Sequence, residues 1–293
     1  MLKEKAFEAD QVTINFAEGP EEGPPLVLLH EGSRRWQHLL PILPSLILRW
    51  HVYALDLRGH GKSGRVPGHY CPEEYVPDIK DFLERQLAEP AVLFGHGLGS
   101  LIALMAAAEL PQRVRALILG NPALNKKRWA NAESAEDRMG MYAAMRNFAV
   151  SGLTVQEIVP ILADLPIAVP GSIEPVRYGD LPEMDGARLR NRAKTMSELD
   201  PEVLQYHAEG RAAEFLEGLD LDAALRRITC PTLLLQADPA AGGVLSDSDV
   251  NHAVATLADG RYVKLVGVGR DLGLESWHVT PLLRAMTLFL ESL

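Results

Sequence analysis

Leu93-Phe94-Gly95-His96-Gly97-Leu98-Gly99-Ser100 joins an apolar run, 91–96 (Ala-Val-Leu-Phe-Gly-His), directly to an apolar segment of helical period, 98–109. A short continuous apolar run next to turn residues reads as a strand buried on both faces. Gly95, Gly97 and Gly99 let the chain turn tightly enough for the helix to approach that strand.

The flanking sequence repeats this alternation. Buried strands are predicted at 26–30 (Leu-Val-Leu-Leu-His), 51–57, 114–119, 231–237 and 261–268, with helical periodicity at 36–48, 73–88, 98–109, 247–258 and 276–291. Strands alternating with helices specify an α/β fold, a mostly parallel sheet with right-handed crossovers. Residues 11–17 alternate with period two and read as an antiparallel edge strand. The alternation stops between about 122 and 222. There, Ser134-Ala-Glu-Asp137 and Thr154-Val-Gln-Glu157 read as capping boxes, and Asp200-Pro201-Glu202 places proline at a first helical position. Leu165-Pro166, Val169-Pro170-Gly171 and Glu174-Pro175 read as turns. The expected organisation is an α/β core of 1–121 and 223–293 split by a helical insertion, 122–222.

Composition restricts the function classes. A chain of 293 residues with 47% hydrophobic and 23% charged residues is globular and large enough to bury its own core. Its formal charge of −10 opposes phosphate backbones and anionic lipids, so neither nucleic acid nor membrane is an expected partner. Cys71 and Cys230 form no C-x-x-C pair or disulfide framework. With no hydrophobic signal core and no run of membrane-spanning length, the expected location is cytoplasmic.

The junction at 93–100 resembles the nucleophile elbow, G-x-S-x-G, of the α/β-hydrolase superfamily, in particular its capped esterase-, lactonase- and haloperoxidase-like members. The resemblance covers nearly the whole chain. His30-Glu31-Gly32 stands at that family's oxyanion segment, and Asp56-Leu57-Arg58-Gly59-His60-Gly61-Lys62-Ser63 at its D-x-R-G-x-G-x-S loop. Gln236-Ala237-Asp238-Pro239 matches the acid-bearing strand end, and Gly267-Val268-Gly269-Arg270-Asp271 the loop that normally supplies histidine. The insertion falls where the family carries its cap.

The resemblance implies an acyl-transfer triad of hydroxyl, imidazole and carboxylate, with the backbone N–H groups of Gly32 and Leu98 as oxyanion hole. The matching positions hold Gly97, Arg270 and Asp238, with Asp247 or Asp249 as alternatives for the acid. Glycine has nothing to attack with, and arginine stays protonated, so it is no general base. Glu31 adds a carboxylate where a negative charge would develop.

Three functions are compatible with these residues. One is a protein of serine-esterase lineage whose triad has been lost or deliberately altered, keeping a pocket for an ester-like substrate or other small molecule. A second is a repurposed catalyst with Glu31, its pKa raised by burial, as general base for proton abstraction. A third is a small-molecule binding protein. Simpler roles are Glu31 as a solvated loop residue, Arg270 as the ion-pair partner of Asp238, and Met139, Met141 and Met145 as core or pocket lining. His30 and His96 stand where a ring can cap strand-end backbone, and His278 falls in the predicted last helix. No histidine pair has metal-ligand spacing, and no cofactor is implied. Gly95-x-Gly97-x-x-Ser100 also resembles a degenerate dinucleotide fingerprint, but Leu117-Ile118-Leu119-Gly120-Asn121 lacks the acid expected after the next strand.

Overall fold

The computed structural model describes residues 2–167 and 174–293. An eight-stranded sheet is built from β1 (Lys3–Glu8), β2 (Thr13–Glu18), β3 (Pro25–Leu29), β4 (His51–Leu55), β5 (Ala91–His96), β6 (Val114–Gly120), β9 (Thr232–Ala237) and β10 (Gly260–Leu265). A separate hairpin pairs β7 (Pro166–Ile167) with β8 (Val176–Arg177). The large sheet runs β1-β2-β4-β3-β5-β6-β9-β10, antiparallel at β1/β2 and β2/β4 and parallel elsewhere. The α/β class read from the alternation is therefore the observed one.

β3 and β5 are buried at every position, as strands covered by helices on both faces must be. The helix Leu98–Glu109 matches its predicted limits and packs against β5 and β6. β2 is not the edge strand. β1 covers it, and the sequence hides β1 because only Phe7 of its six residues is buried.

Three helical predictions need correction. Pro41 and Pro44 divide 36–48 into a 3₁₀ turn, Trp36–Leu39, and a short helix, Leu43–Leu46. The segment 73–88 divides into a 3₁₀ turn (Pro72–Tyr75), an α-helix (Val76–Asp81) and a π-helical turn (Phe82–Gln86). The last helix is Thr280–Leu290, so His278 lies before it rather than in it.

Between β6 and β9 the chain is mainly helical, including Lys126–Glu133, Glu136–Val150, Val155–Asp164, Gly186–Ser197 and Leu221–Arg227. Thr154 and Glu157 form the predicted capping box, and Asp200 caps the 3₁₀ turn Pro201–Leu204. Ser134 does not cap: it closes the preceding helix, its N–H on the Ala130 carbonyl, and Ala135 heads the next one with no side-chain bond. Leu165-Pro166 and Glu174-Pro175 lead into β7 and β8 instead of forming plain turns. Val169-Pro170-Gly171 lies outside the described residues.

Two glycines set the spacing between elbow helix and sheet. A Cβ on Gly95 would overlap the Gly99 carbonyl, and one on Gly99 would overlap the Leu29 and His30 carbonyls. Both obstacles are backbone, which cannot rotate aside. Gly95→Ala and Gly99→Ala are each expected to cost about 3 kcal/mol or more, read as a lowered urea midpoint at unchanged m-value.

Candidate active site

Gly97 follows β5 and heads the helix Leu98–Glu109 with φ +53° and ψ −111°. A side-chain-bearing residue adopts such a conformation only under strain. Its N–H donates to the Gly120 carbonyl (2.9 Å), which ties the turn to the end of β6. The nearby Ser100 hydroxyl is no substitute for the missing one. It is buried and donates to the carbonyls of Gly95 (2.6 Å) and Gly120 (3.0 Å).

Glu31 fills the space in front of the elbow. A Cβ on Gly97 would lie 2.6 Å from Glu31 Cγ and 3.1 Å from its Oε1. The same Oε1 accepts a hydrogen bond from Arg270 Nε at 2.9 Å. Arg270 Nη1 bonds Glu133 Oε1, and Glu133 Oε2 accepts from the Tyr142 hydroxyl at 2.5 Å. Glu133 is fully buried, and the Glu31 side chain is only 13% exposed. Residues from the loop after β3, the loop after β10 and the helices after β6 thus form one chain, Glu31–Arg270–Glu133–Tyr142.

This geometry corrects three expectations. Glu31 is not a solvated loop residue. Nor is its pKa raised: burial pushes the carboxyl up, but Arg270, with His96, Arg34 and His38, outweighs burial and brings it to about 2. A carboxylate held that low is a poor proton acceptor at neutral pH. Finally, Arg270 does not pair with Asp238. The Asp238 carboxylate accepts from the backbone N–H groups of Ala240 (3.0 Å) and Gly267 (2.8 Å), because it caps the 3₁₀ turn Pro239–Ala241.

The alternative acids are also engaged elsewhere. Asp247 takes Gln236 Nε2 (2.7 Å) and Lys264 Nζ (3.0 Å), while Asp249 takes the Ser246 hydroxyl (2.6 Å) and Arg128 Nη1 (2.5 Å). Gly32 and Leu98 do come together: a Cβ on Gly32 would stand 3.6 Å from Leu98 Cδ2, and both residues line the same cavity. Leu98 is the first helical residue, so its N–H has no intrahelical acceptor.

The histidines at the strand ends do cap backbone. His30 Nε2 accepts the Leu57 N–H (3.0 Å) while its Nδ1 bonds the Glu31 carbonyl (2.8 Å), and burial holds its pKa down at about 4. His96 Nε2 bonds the Arg270 carbonyl at 2.9 Å, fixing the loop that carries Arg270. The loop 56–63 is equally fixed. Asp56 accepts from Trp36 N–H (2.7 Å), Lys62 N–H (3.0 Å) and Asn15 Nδ2 (2.8 Å), and Arg58 makes a two-pronged bond to Asp78 at 2.7 and 2.6 Å.

Glu31, Gly32, Gly97, Leu98 and Arg270 line one cavity of about 550 Å³. Leu101, Met141, Met145, Leu162 and Phe215 supply apolar wall, and Arg34, Arg192 and His207 supply polar groups. Met141 and Met145 thus line the pocket, whereas Met139 lies against Gly210. Glu133, Tyr142, Arg192 and His207 escaped the sequence reading, because nothing in the spacing of a polar helical residue reports which helix face meets the sheet. Arg34, two residues beyond the oxyanion segment, was within reach of it.

The alpha/beta hydrolase fold family profile matches residues 24–242, and the chain belongs to that family. Over 115 residues it is 35% identical to epoxide hydrolase 4 of Mus musculus, covering 37% of this chain and 31% of that protein. Over 108 residues it is 38% identical to a haloalkane dehalogenase of Mycolicibacterium paratuberculosis, covering 36% of each. The chain therefore spans about a third of the length of these curated relatives. Among solved structures, E-2-(acetamidomethylene)succinate hydrolase superposes with a TM-score of 0.72 at 20% identity, over 99% of this chain and 100% of that one. The enol-lactonase of Burkholderia xenovorans LB400 superposes with a TM-score of 0.70 at 17% identity, over 98% and 100%. At such identities the superpositions establish the fold alone.

Two measurements check the site's energetics. Gly97→Ser is expected to lower stability by about 1–3 kcal/mol from its backbone conformation alone. In a double-mutant cycle, Glu31→Gly should relieve part of that loss, with a coupling of at least about 0.5 kcal/mol; strict additivity would show that Glu31 does not crowd the elbow. The second concerns pH. With its folded pKa near 2 and an ordinary value of 4.5, Glu31 binds fewer protons folded than unfolded between those limits. Its stabilisation is present above pH 4.5 and is lost as pH falls toward 2. Urea midpoints should therefore fall less between pH 6 and pH 3 in Glu31→Gln than in the unaltered protein.

Proposed function

We propose that this chain is an α/β-hydrolase-fold protein of serine-esterase lineage that has given up acyl transfer and kept its small-molecule pocket. Residues 122–222 act as the cap over that pocket. The observation that carries this reading is the occupation of the triad's place by an ion-paired chain. Gly97 keeps the elbow's backbone without its hydroxyl, Glu31 stands where that hydroxyl would emerge, and Arg270 is held between Glu31 and Glu133.

Chemistry supports the same reading. Loss of the serine or histidine from such a triad costs about 10⁶ in kcat. Here the carboxylate following β9 is turned to backbone as well, so none of the three roles is filled at its family position. The pairing of Glu31 with Arg270, which lowers its pKa, weighs against a carboxylate base and favours binding as the use of the pocket. The hydrolase names of the relatives support the lineage and not a present activity.

The test is covalent as well as kinetic. A fluorophosphonate probe, which captures activated serines, is expected to leave the protein unlabelled, and a p-nitrophenyl ester series is expected to show no turnover above buffer. The variant Glu31→Gly/Gly97→Ser/Arg270→His restores space, hydroxyl and imidazole together, and should gain measurable ester turnover. Gly97→Ser/Arg270→His alone should gain less, because Glu31 still crowds the hydroxyl. Stoichiometric labelling or saturable ester hydrolysis by the unaltered protein would overturn the proposal.

A further inference from the structure

Arg34 and Arg192 meet at the wall between the main cavity and a second, smaller one of about 50 Å³; both arginines line both spaces. Arg34 gives one nitrogen, Nη2, to Glu275 at 2.9 Å. Its Nε and Nη1 are buried and have no hydrogen-bond partner among the described residues. Glu275 is itself shared, since its other oxygen accepts from the Tyr178 hydroxyl at 3.1 Å.

Arg192 is 8% exposed and has no carboxylate within ion-pair distance among the described residues. Its Nη1 donates to the Ser33 carbonyl (2.9 Å), and its Nη2 lies 3.5 Å from Met145 Sδ, a weak acceptor. Two largely buried guanidinium groups therefore stand at one wall, and of the two only Arg34 is ion-paired among the described residues.

Buried charge is costly unless paired, and a donor left empty away from water carries its own penalty. The wall has two empty donors on Arg34, and Arg192 has only a carbonyl and a weak sulfur acceptor. A carboxylate supplies what both lack, because it is an acceptor-only anion that guanidinium groups bind strongly. The adjoining cavity has apolar sides at Leu101, Met141, Met145 and Leu162, so the remainder of the ligand is apolar.

We infer that the pocket takes amphipathic carboxylic acids, with the acid group at Arg34 and Arg192 and the apolar body toward the methionines and leucines. The inference rests on the pocket being a binding site, as proposed above. It places the ligand's charge on the empty donors of Arg34 and beside Arg192.

Isothermal titration calorimetry with 6-phenylhexanoate and its neutral amide, 6-phenylhexanamide, tests it on the unaltered protein. The acid is expected to bind at least tenfold more tightly than the amide. Arg192→Met should remove that preference by weakening the acid tenfold or more and leaving the amide unchanged, while Arg192→Lys should retain part of it. Equal affinity for acid and amide would overturn the carboxylate anchor and leave the binding pocket standing. Binding of neither would overturn both. Should Arg192→Met fail to fold, Arg34→Gln carries the same comparison, and the acid-to-amide ratio of the unaltered protein decides without any variant.

Discussion

The closeness of one helix to one sheet governs everything else in this molecule. The helix Leu98–Glu109 lies so near β3 and β5 that Gly95 and Gly99 have no room for a methyl group. That approach forces Gly97 into its left-handed turn and sets the first N–H of the helix over the carboxyl ends of the strands. Open α/β sheets place their ligand crevice at those ends. The loops after β3, β6, β9 and β10 converge there, which is why Glu31, Asn121, Ala241 and Arg270 line one cavity although they are far apart in the chain.

Within that frame the site behaves as an electrostatic unit. Arg270 is deeply desolvated, and a guanidinium cannot shed its charge as a histidine can. It is held by a carboxylate on each side, Glu31 from the oxyanion loop and Glu133 from the helix Lys126–Glu133. Burial pushes the Glu133 carboxyl up, but Arg270, Arg138 and the Tyr142 hydroxyl outweigh it and leave the carboxyl lowered. Removing one partner of such a buried set strands the others. Residues 31, 97 and 270 are thus mutually dependent: Glu31 needs the cation at 270, and the space it occupies exists because residue 97 is glycine.

The sequence disclosed those parts of the structure whose physical cause is local. Unbroken apolar runs announced β3, β5, β6 and β9, and the glycine spacing announced the elbow and its helix. β1 stayed hidden because an edge strand with one buried side chain has no apolar signature. The split of 36–48 came from Pro41 and Pro44, which interrupt a helical pattern without erasing its periodicity. At the site, Glu31, Gly97 and Arg270 were legible because the surrounding motifs fixed where to look. The partner of Arg270 was not: choosing Asp238 assumed that the acid after β9 turns inward, whereas the turn Pro239–Ala241 takes that carboxylate as its cap. Glu133 carried no signal at all, since its role depends on a helix some hundred residues from β9 packing over the elbow.

The pocket carries different chemistry at Arg270 and at Arg34 and Arg192. On the elbow side, Arg270, Glu31 and Glu133 satisfy one another, and a ligand there gains little from any of them. At the Arg34/Arg192 wall, two donors of Arg34 remain empty, and Arg192 has a carbonyl and a sulfur for partners. Polar specificity in a site of this size comes from the few groups that are not already satisfied. With Arg270 already held by Glu31 and Glu133, the unsatisfied donors of Arg34 are the groups in this pocket with most to gain from a ligand.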